Sequence, residues 1–92
     1  MLGVTIQLLR TAKNVTIEQL AEAIEVSPLA IEKYETNIWQ PGKPTMIRLS
    51  EYFGVTLQEF SEGYSLLVDD DTQDILIVRN MGENRIRAIG KL

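Results

Sequence analysis

Apolar side chains recur at helical spacing through the first sixty residues and then change rhythm. In residues 4–13, Ile6, Leu9 and Lys13 fall at helical intervals with Arg10 beside Leu9, and Asn14 follows as a C-terminal stop. Thr16 reads as an N-cap with Gln19 three residues on, the pattern of a capping box. Leu20, Ala21 and Ile24 give that second helix its apolar face. Ser27 is an N-cap candidate, and Pro28 suits the first position of a third helix. Leu29 to Thr36 complete it, with Ile31 and Tyr34 on one side, and Asn37 can take the left-handed conformation that ends a helix. Residues 38–43 form a loop. Pro44 restarts a helix whose inner face is Met46, Leu49 and Phe53 and which Gly54 ends. Thr56 with Glu59 repeats the capping box, opening a short helix through Leu57 and Phe60 that Gly63 closes.

Residues 64–92 do not continue the pattern. Ile75-Leu76-Ile77-Val78 is a β-branched run that suits a strand, and Asn80 to Asn84 could turn into a second one. Against a hairpin, Ile86 and Ile89 are three apart, which breaks a period of two. Asp71 or Thr72 can cap a helix, and Asp74 and Glu83 sit where helix starts favour acids. Two short helices are therefore preferred to a hairpin. The expected fold class is all-α: a five-helix domain over residues 1–63, with residues 64–92 as a C-terminal extension. There is no internal repeat, and no low-complexity segment beyond Asp69-Asp70-Asp71.

Composition narrows the chemistry. With 92 residues, 45% of them hydrophobic, the chain can build one core but not two. It has no cysteine, hence no disulfide framework or thiolate metal site, and no histidine, the usual acid–base group near neutral pH. The acid pairs Glu18 with Glu22 and Glu32 with Glu35 fit a solvated helix face or an ion pair. No nucleophile–base constellation or phosphate-binding glycine loop accompanies them. An enzyme is not expected, and neither is a metal or a cofactor. No apolar run approaches the ~20 residues of a membrane span, and the N-terminus lacks a signal-peptide pattern, so a cytoplasmic location is expected. The net charge of −4 argues against tight, sequence-independent nucleic-acid binding, although a local basic face can suffice.

Taken together, Ile6, Leu9, Arg10, Thr16, Leu20 and Ala21, then Val26, Ser27, Ile31 and Glu35, then Pro41, Met46, Leu49, Phe53, Gly54 and Val55 carry a resemblance. Residues 6–60 resemble the helix-turn-helix domain of the lambda repressor/Cro family, also called XRE-type, over about 55 of the 92 residues. The resemblance implies the five-helix fold and double-stranded DNA as partner, with the third helix entering the major groove. It implies that Ser27, Pro28, Leu29 and Lys33 face bases or adjacent phosphates. Ile17 matches a position that usually holds a phosphate and is often Gln. It also implies an ion pair between Arg10 and Glu35 inside the domain. The corresponding function is a repressor-like regulator of phage or mobile-element type, acting as a homodimer on a pseudo-palindromic operator. Lys13, Lys43 and backbone amides at helix starts would hold phosphate, with Arg48 a further cation available to a DNA face, and the tail would supply the dimer contact.

Several residues depart from that pattern in one direction. Ile17 cannot hydrogen-bond a phosphate, and Pro28 has no donor. Leu29 can touch a thymine methyl but cannot make a bidentate contact, worth ~1–3 kcal/mol of discrimination. Glu32 would repel phosphate, or accept from cytosine N4. Lys43 is the only charge in the loop at 38–43, and Glu25 stands where a glycine often makes the turn. Trp39 is expected to fold back as core under that loop, the alternative being an apolar patch with Ile38. These departures support a second reading, a protein-interaction module of antitoxin or adaptor type on the same scaffold, with weak or lost DNA readout and a protein partner.

Overall fold

Side-chain caps mark where the helices begin. In the computed structural model, which describes residues 2–80 and 88–91, the order is α1 (Leu2–Lys13), α2 (Ile17–Ile24), α3 (Pro28–Glu35), α4 (Lys43–Phe53) and α5 (Leu57–Glu62), then β1 (Tyr64–Val68), β2 (Ile75–Arg79) and β3 (Ala88–Lys91). Thr16 Oγ1 accepts from the Gln19 N–H at 3.0 Å, and Gln19 Oε1 accepts from the Thr16 N–H at 2.8 Å. Thr56 and Glu59 repeat this box at 3.0 and 2.9 Å. Ser27 Oγ accepts from the Ala30 N–H at 3.1 Å. Each such cap contributes about 1 kcal/mol by pairing an N–H that the helix cannot. Asn14, Glu25 and Asn37 each leave a helix in the left-handed region, at φ 58, 61 and 62.

The inner faces meet in one buried cluster. Ile6 and Leu9 of α1, Leu20 and Ile24 of α2, Ile31 of α3, Leu49 of α4 and Phe60 of α5 all belong to it, and Tyr34, Met46 and Phe53 pack against it. Tyr64 and Ile77 extend the same cluster into the strands. Among the described residues, no helix is long and apolar enough to cross a membrane.

The strands overturn the expected all-α fold. In place of two helices, the C-terminal part carries an antiparallel sheet in the order β1-β2-β3. Tyr64 pairs with Arg79 and Val68 with Ile75. Leu76 pairs with Lys91, and the β2–β3 register shifts between Ile77 and Val78. The segment read as a helix start at Asp71, Thr72 and Asp74 lies in a turn instead, held by Asp69. Asp69 Oδ1 accepts from the Asp71 and Thr72 N–H groups at 2.9 and 3.4 Å. The Asp69 N–H donates to the Asp74 carbonyl at 2.8 Å, and the Gln73 N–H to the Asp69 carbonyl at 2.7 Å. Side-chain acceptors of this kind let Asp compete with helix formation. The apolar runs at residues 66–68 and 75–78, each within a five-residue strand, then pair across the turn. Glu83 and Ile86, which weighed toward helices, lie outside the described residues, as does most of the turn expected at 80–84.

The sheet is fastened to α1. Thr5 Oγ1 accepts from the Tyr64 N–H at 3.0 Å in a buried hydrogen bond. Gly63 makes the corner at φ 91 and ψ −178, and a Cβ there would stand 2.9 Å from Thr5 Oγ1. Both the backbone conformation and the space require glycine. Arg79 of β2 pairs with Glu59 of α5 at 2.7 Å.

Candidate nucleic-acid interface

One face of α3 is core and the other is free. Ala30 and Ile31 are buried, whereas Leu29, Glu32, Lys33 and Thr36 follow one another at helical spacing along the outer side. With Ile38 these four line a shallow groove of about 340 Å³. Leu29 is 51% exposed and Ile38 62%. Ser27 stands at the N-terminal end of the stripe; its oxygen is engaged by Ala30, but its hydroxyl proton remains able to donate. Pro28, also exposed, offers no N–H.

The loop after α3 completes the groove. The Ile38 and Trp39 N–H groups both donate to the Lys33 carbonyl, at 2.9 and 3.1 Å. This fold-back turns the two side chains outward. Trp39, expected as core, is 46% exposed, and Pro41 takes a buried place in the loop instead.

The far end of α3 is clamped by α1. Arg10 Nε donates to Glu35 Oε2 at 2.7 Å and Nη2 to Glu35 Oε1 at 3.2 Å, a two-pronged contact with both side chains largely buried. Arg10 Nη1 also donates to the Val15 carbonyl at 3.1 Å. The Gly3 N–H donates to Asn37 Oδ1 at 3.0 Å, and a Cβ at Gly3 would collide with the Glu35 carbonyl. Arg10 is thereby committed to holding α3 in place.

The other residues singled out from the sequence are dispersed. Ile17 is half-buried and packs on the core at the start of α2. Lys43 is exposed at the first position of α4. Lys13 Nζ sits 4.9 Å from the Tyr52 ring centroid, a cation–π contact outside the α3 groove. Arg48 Nη1 donates to the Ile24 carbonyl at 3.4 Å, at the C-terminal end of α2. The groove thus unites Leu29 and Lys33 and leaves Lys13 apart. Ile38, weighed from the sequence only as part of an apolar patch with Trp39, also lines it, as does Thr36, which was not singled out. Thr36 was visible seven residues after Leu29, but Ile38 depends on the loop folding back. Chemically the groove offers apolar contact, one cation and one carboxylate acceptor. It has no Arg, Asn or Gln fork for a purine edge.

The comparisons with known proteins agree with this geometry. Residues 6–60 match the sequence profile of the helix-turn-helix family. The chain is 39% identical over 69 residues to the HTH-type transcriptional activator BcrR of Enterococcus faecalis, covering 75% of this chain and 34% of that protein. It therefore spans about a third of that relative's length. The fold is similar to the DNA-binding domain of the P22 C2 repressor, solved by nuclear magnetic resonance, with a TM-score of 0.66 and 21% identity. That match covers 68% of this chain and 83% of the other. With more than half of its residues inside the matched region, the chain belongs to the XRE-type helix-turn-helix family.

Proposed function

We propose that this chain is a DNA-binding transcription regulator that places the outer stripe of α3 in the major groove. The observation that carries this reading is the exposed run Leu29, Glu32, Lys33 and Thr36 on the second helix of a matched helix-turn-helix. A major groove about 12 Å wide admits one helix. Ser27, Leu29 and Lys33 would read base edges, with Pro28 against the groove wall. Lys43, Lys13 and the backbone amides beside Ile17 at the start of α2 would hold phosphate. The proposed regulator acts in the cytoplasm and requires no catalytic group, metal or cofactor.

In this reading the regulator binds a pseudo-palindromic operator as a homodimer, with half-sites about one helical turn apart. Residues 1–63 form the helix-turn-helix domain and residues 64–92 the extension that pairs the two copies. Leu66, Leu67, Val68 and Ile75, all exposed near the β1–β2 turn, supply apolar area for that contact. Repressor-like action, by covering a promoter, needs only DNA binding and this pairing. Activation, which the Enterococcus relative's name describes, needs a further contact with the transcription machinery.

Selection from a randomised duplex pool, followed by salt titration, tests the reading. A recovered palindrome with salt-dependent affinity supports it; failure to enrich any sequence at low salt overturns it. The second reading, a protein-interaction module, is favoured by Ile38 and Trp39 standing exposed beside the groove on a chain of net charge −4. It requires a stoichiometric protein partner whose binding is abolished by Trp39→Ala or Leu29→Asp.

A further inference from the structure

Resting on the proposed DNA binding, we infer that this protein recognises its site chiefly through pyrimidine 5-methyl groups, and so reads thymine and 5-methylcytosine in preference to guanine. The groove on α3 is lined by Leu29 and Ile38, both more than half exposed, and by Thr36, whose side chain carries a further methyl. Leu29 and Ile38 have nothing to donate to a base edge, and the Thr36 hydroxyl already donates to the Glu32 carbonyl at 2.9 Å. Each can cover the methyl that thymine projects into the major groove. The polar groups in the same groove restrict the choice further. Glu32 accepts but cannot donate, so it suits the amino group of cytosine or adenine and opposes the acceptor-rich edge of guanine.

Lys33 is the groove's cation, and it approaches either a phosphate or a guanine as a single point charge, without a fork. The stripe therefore has two or three methyl-contacting positions and no bidentate purine reader. A half-site rich in thymine on the contacted strand follows. Because cytosine methylated at C5 presents the same methyl at the same place, a site with cytosine at a contacted step becomes responsive to methylation. The Ile38 contribution depends on the loop tether through the Lys33 carbonyl, which sets that side chain beside α3.

The test uses the full chain and the best duplex from the randomised pool. Thymines are replaced one at a time by deoxyuridine, which removes only the methyl group. At one or two positions in each half-site, affinity measured by fluorescence anisotropy should fall about fourfold, the worth of one buried carbon. With those thymines changed to cytosine, the duplex carrying 5-methylcytosine should bind about fourfold tighter than the one carrying cytosine. Leu29→Ser should abolish the deoxyuridine effect at one of these positions and Ile38→Ser at another. Both residues are exposed, so unchanged melting temperatures would verify that the variants fold. Deoxyuridine that leaves affinity unchanged at every position overturns the inference while leaving DNA binding intact. So does a methyl dependence retained in full by both serine variants. Failure to bind any duplex overturns the proposed function itself, and the inference with it.

Discussion

At Glu25 the backbone sits at φ 61 and ψ 45, with the N–H of this residue closing α2 onto the Ala21 and Glu22 carbonyls. A residue with a Cβ costs about 1–2 kcal/mol in this left-handed region. A carboxylate at the C-terminal end of a helix adds dipole repulsion. Glu25→Gly should therefore stabilise the chain by about 1 kcal/mol, read as a rise in the urea midpoint without change in slope. Tyr64 presents a different local cost. Its hydroxyl is buried without a hydrogen-bond partner among the described residues. Burial holds its pKa above the ordinary 10.0; Glu59 adds to this, and Arg79 opposes it. A raised acid pKa favours the protonated folded form. Its contribution to stability is complete below the unfolded value of about 10 and declines as pH rises beyond it. The melting temperature should fall above pH 10 (checked by calorimetry). Tyr64→Phe should flatten that fall and, by removing an unpaired hydroxyl, leave stability at neutral pH equal or up to about 1 kcal/mol higher.

The helices and the sheet differ in how far the sequence announces them. Thr16 with Gln19, Ser27 with Pro28 and Thr56 with Glu59 act over three residues, and local chemistry suffices to place α2, α3 and α5. The sheet depends on partners that are distant or ambiguous. Asp69, Asp71 and Thr72 have side chains that serve equally at a helix start or in a turn. The choice is made by Tyr64–Val68 finding Ile75–Arg79, a pairing no local window contains. The signal was present as the apolar runs at residues 66–68 and 75–78 flanking an acidic turn. For the candidate site, Leu29 and Lys33 of the α3 stripe were assigned through the family resemblance, whereas the outward turn of Ile38 and Trp39 depends on the Lys33 carbonyl tether. The junction between helices and sheet rests on Gly63. Gly63→Ala should cost about 3 kcal/mol, because a conformation reserved for glycine meets a close approach to Thr5. Equilibrium urea unfolding would measure this; a destabilisation below about 0.5 kcal/mol would refute the role assigned to the corner.

For the whole molecule, charge sets the expected character of binding. Of the cations, Arg10 and Arg79 are held by Glu35 and Glu59, and Lys13 rests over Tyr52. Lys33 lines the α3 groove, and Lys43 is exposed at the first position of α4. With about two or three phosphates neutralised per protomer, log affinity should fall with log salt at a slope of only about −2 to −3. Lys33→Ala distinguishes two placements of this side chain. If Lys33 holds a phosphate, the substitution reduces that slope by about 1 and weakens all sequences alike. If Lys33 reads a base, the weakening concentrates at one position of the site.

Besides its core contacts, helix α1 hydrogen-bonds through Gly3 and Arg10 on the α3 side and through Thr5 on the β1 side. Neither α3 nor the sheet can detach without uncoupling from this one helix. Local opening should therefore be cooperative across all three, rather than graded from the tail inward. In native-state hydrogen exchange, the Tyr64 amide should be as slow as those of Leu9 and Ile31 and share their denaturant dependence. A Tyr64 amide that exchanges through a separate, low-energy opening would mean that the sheet fluctuates on its own.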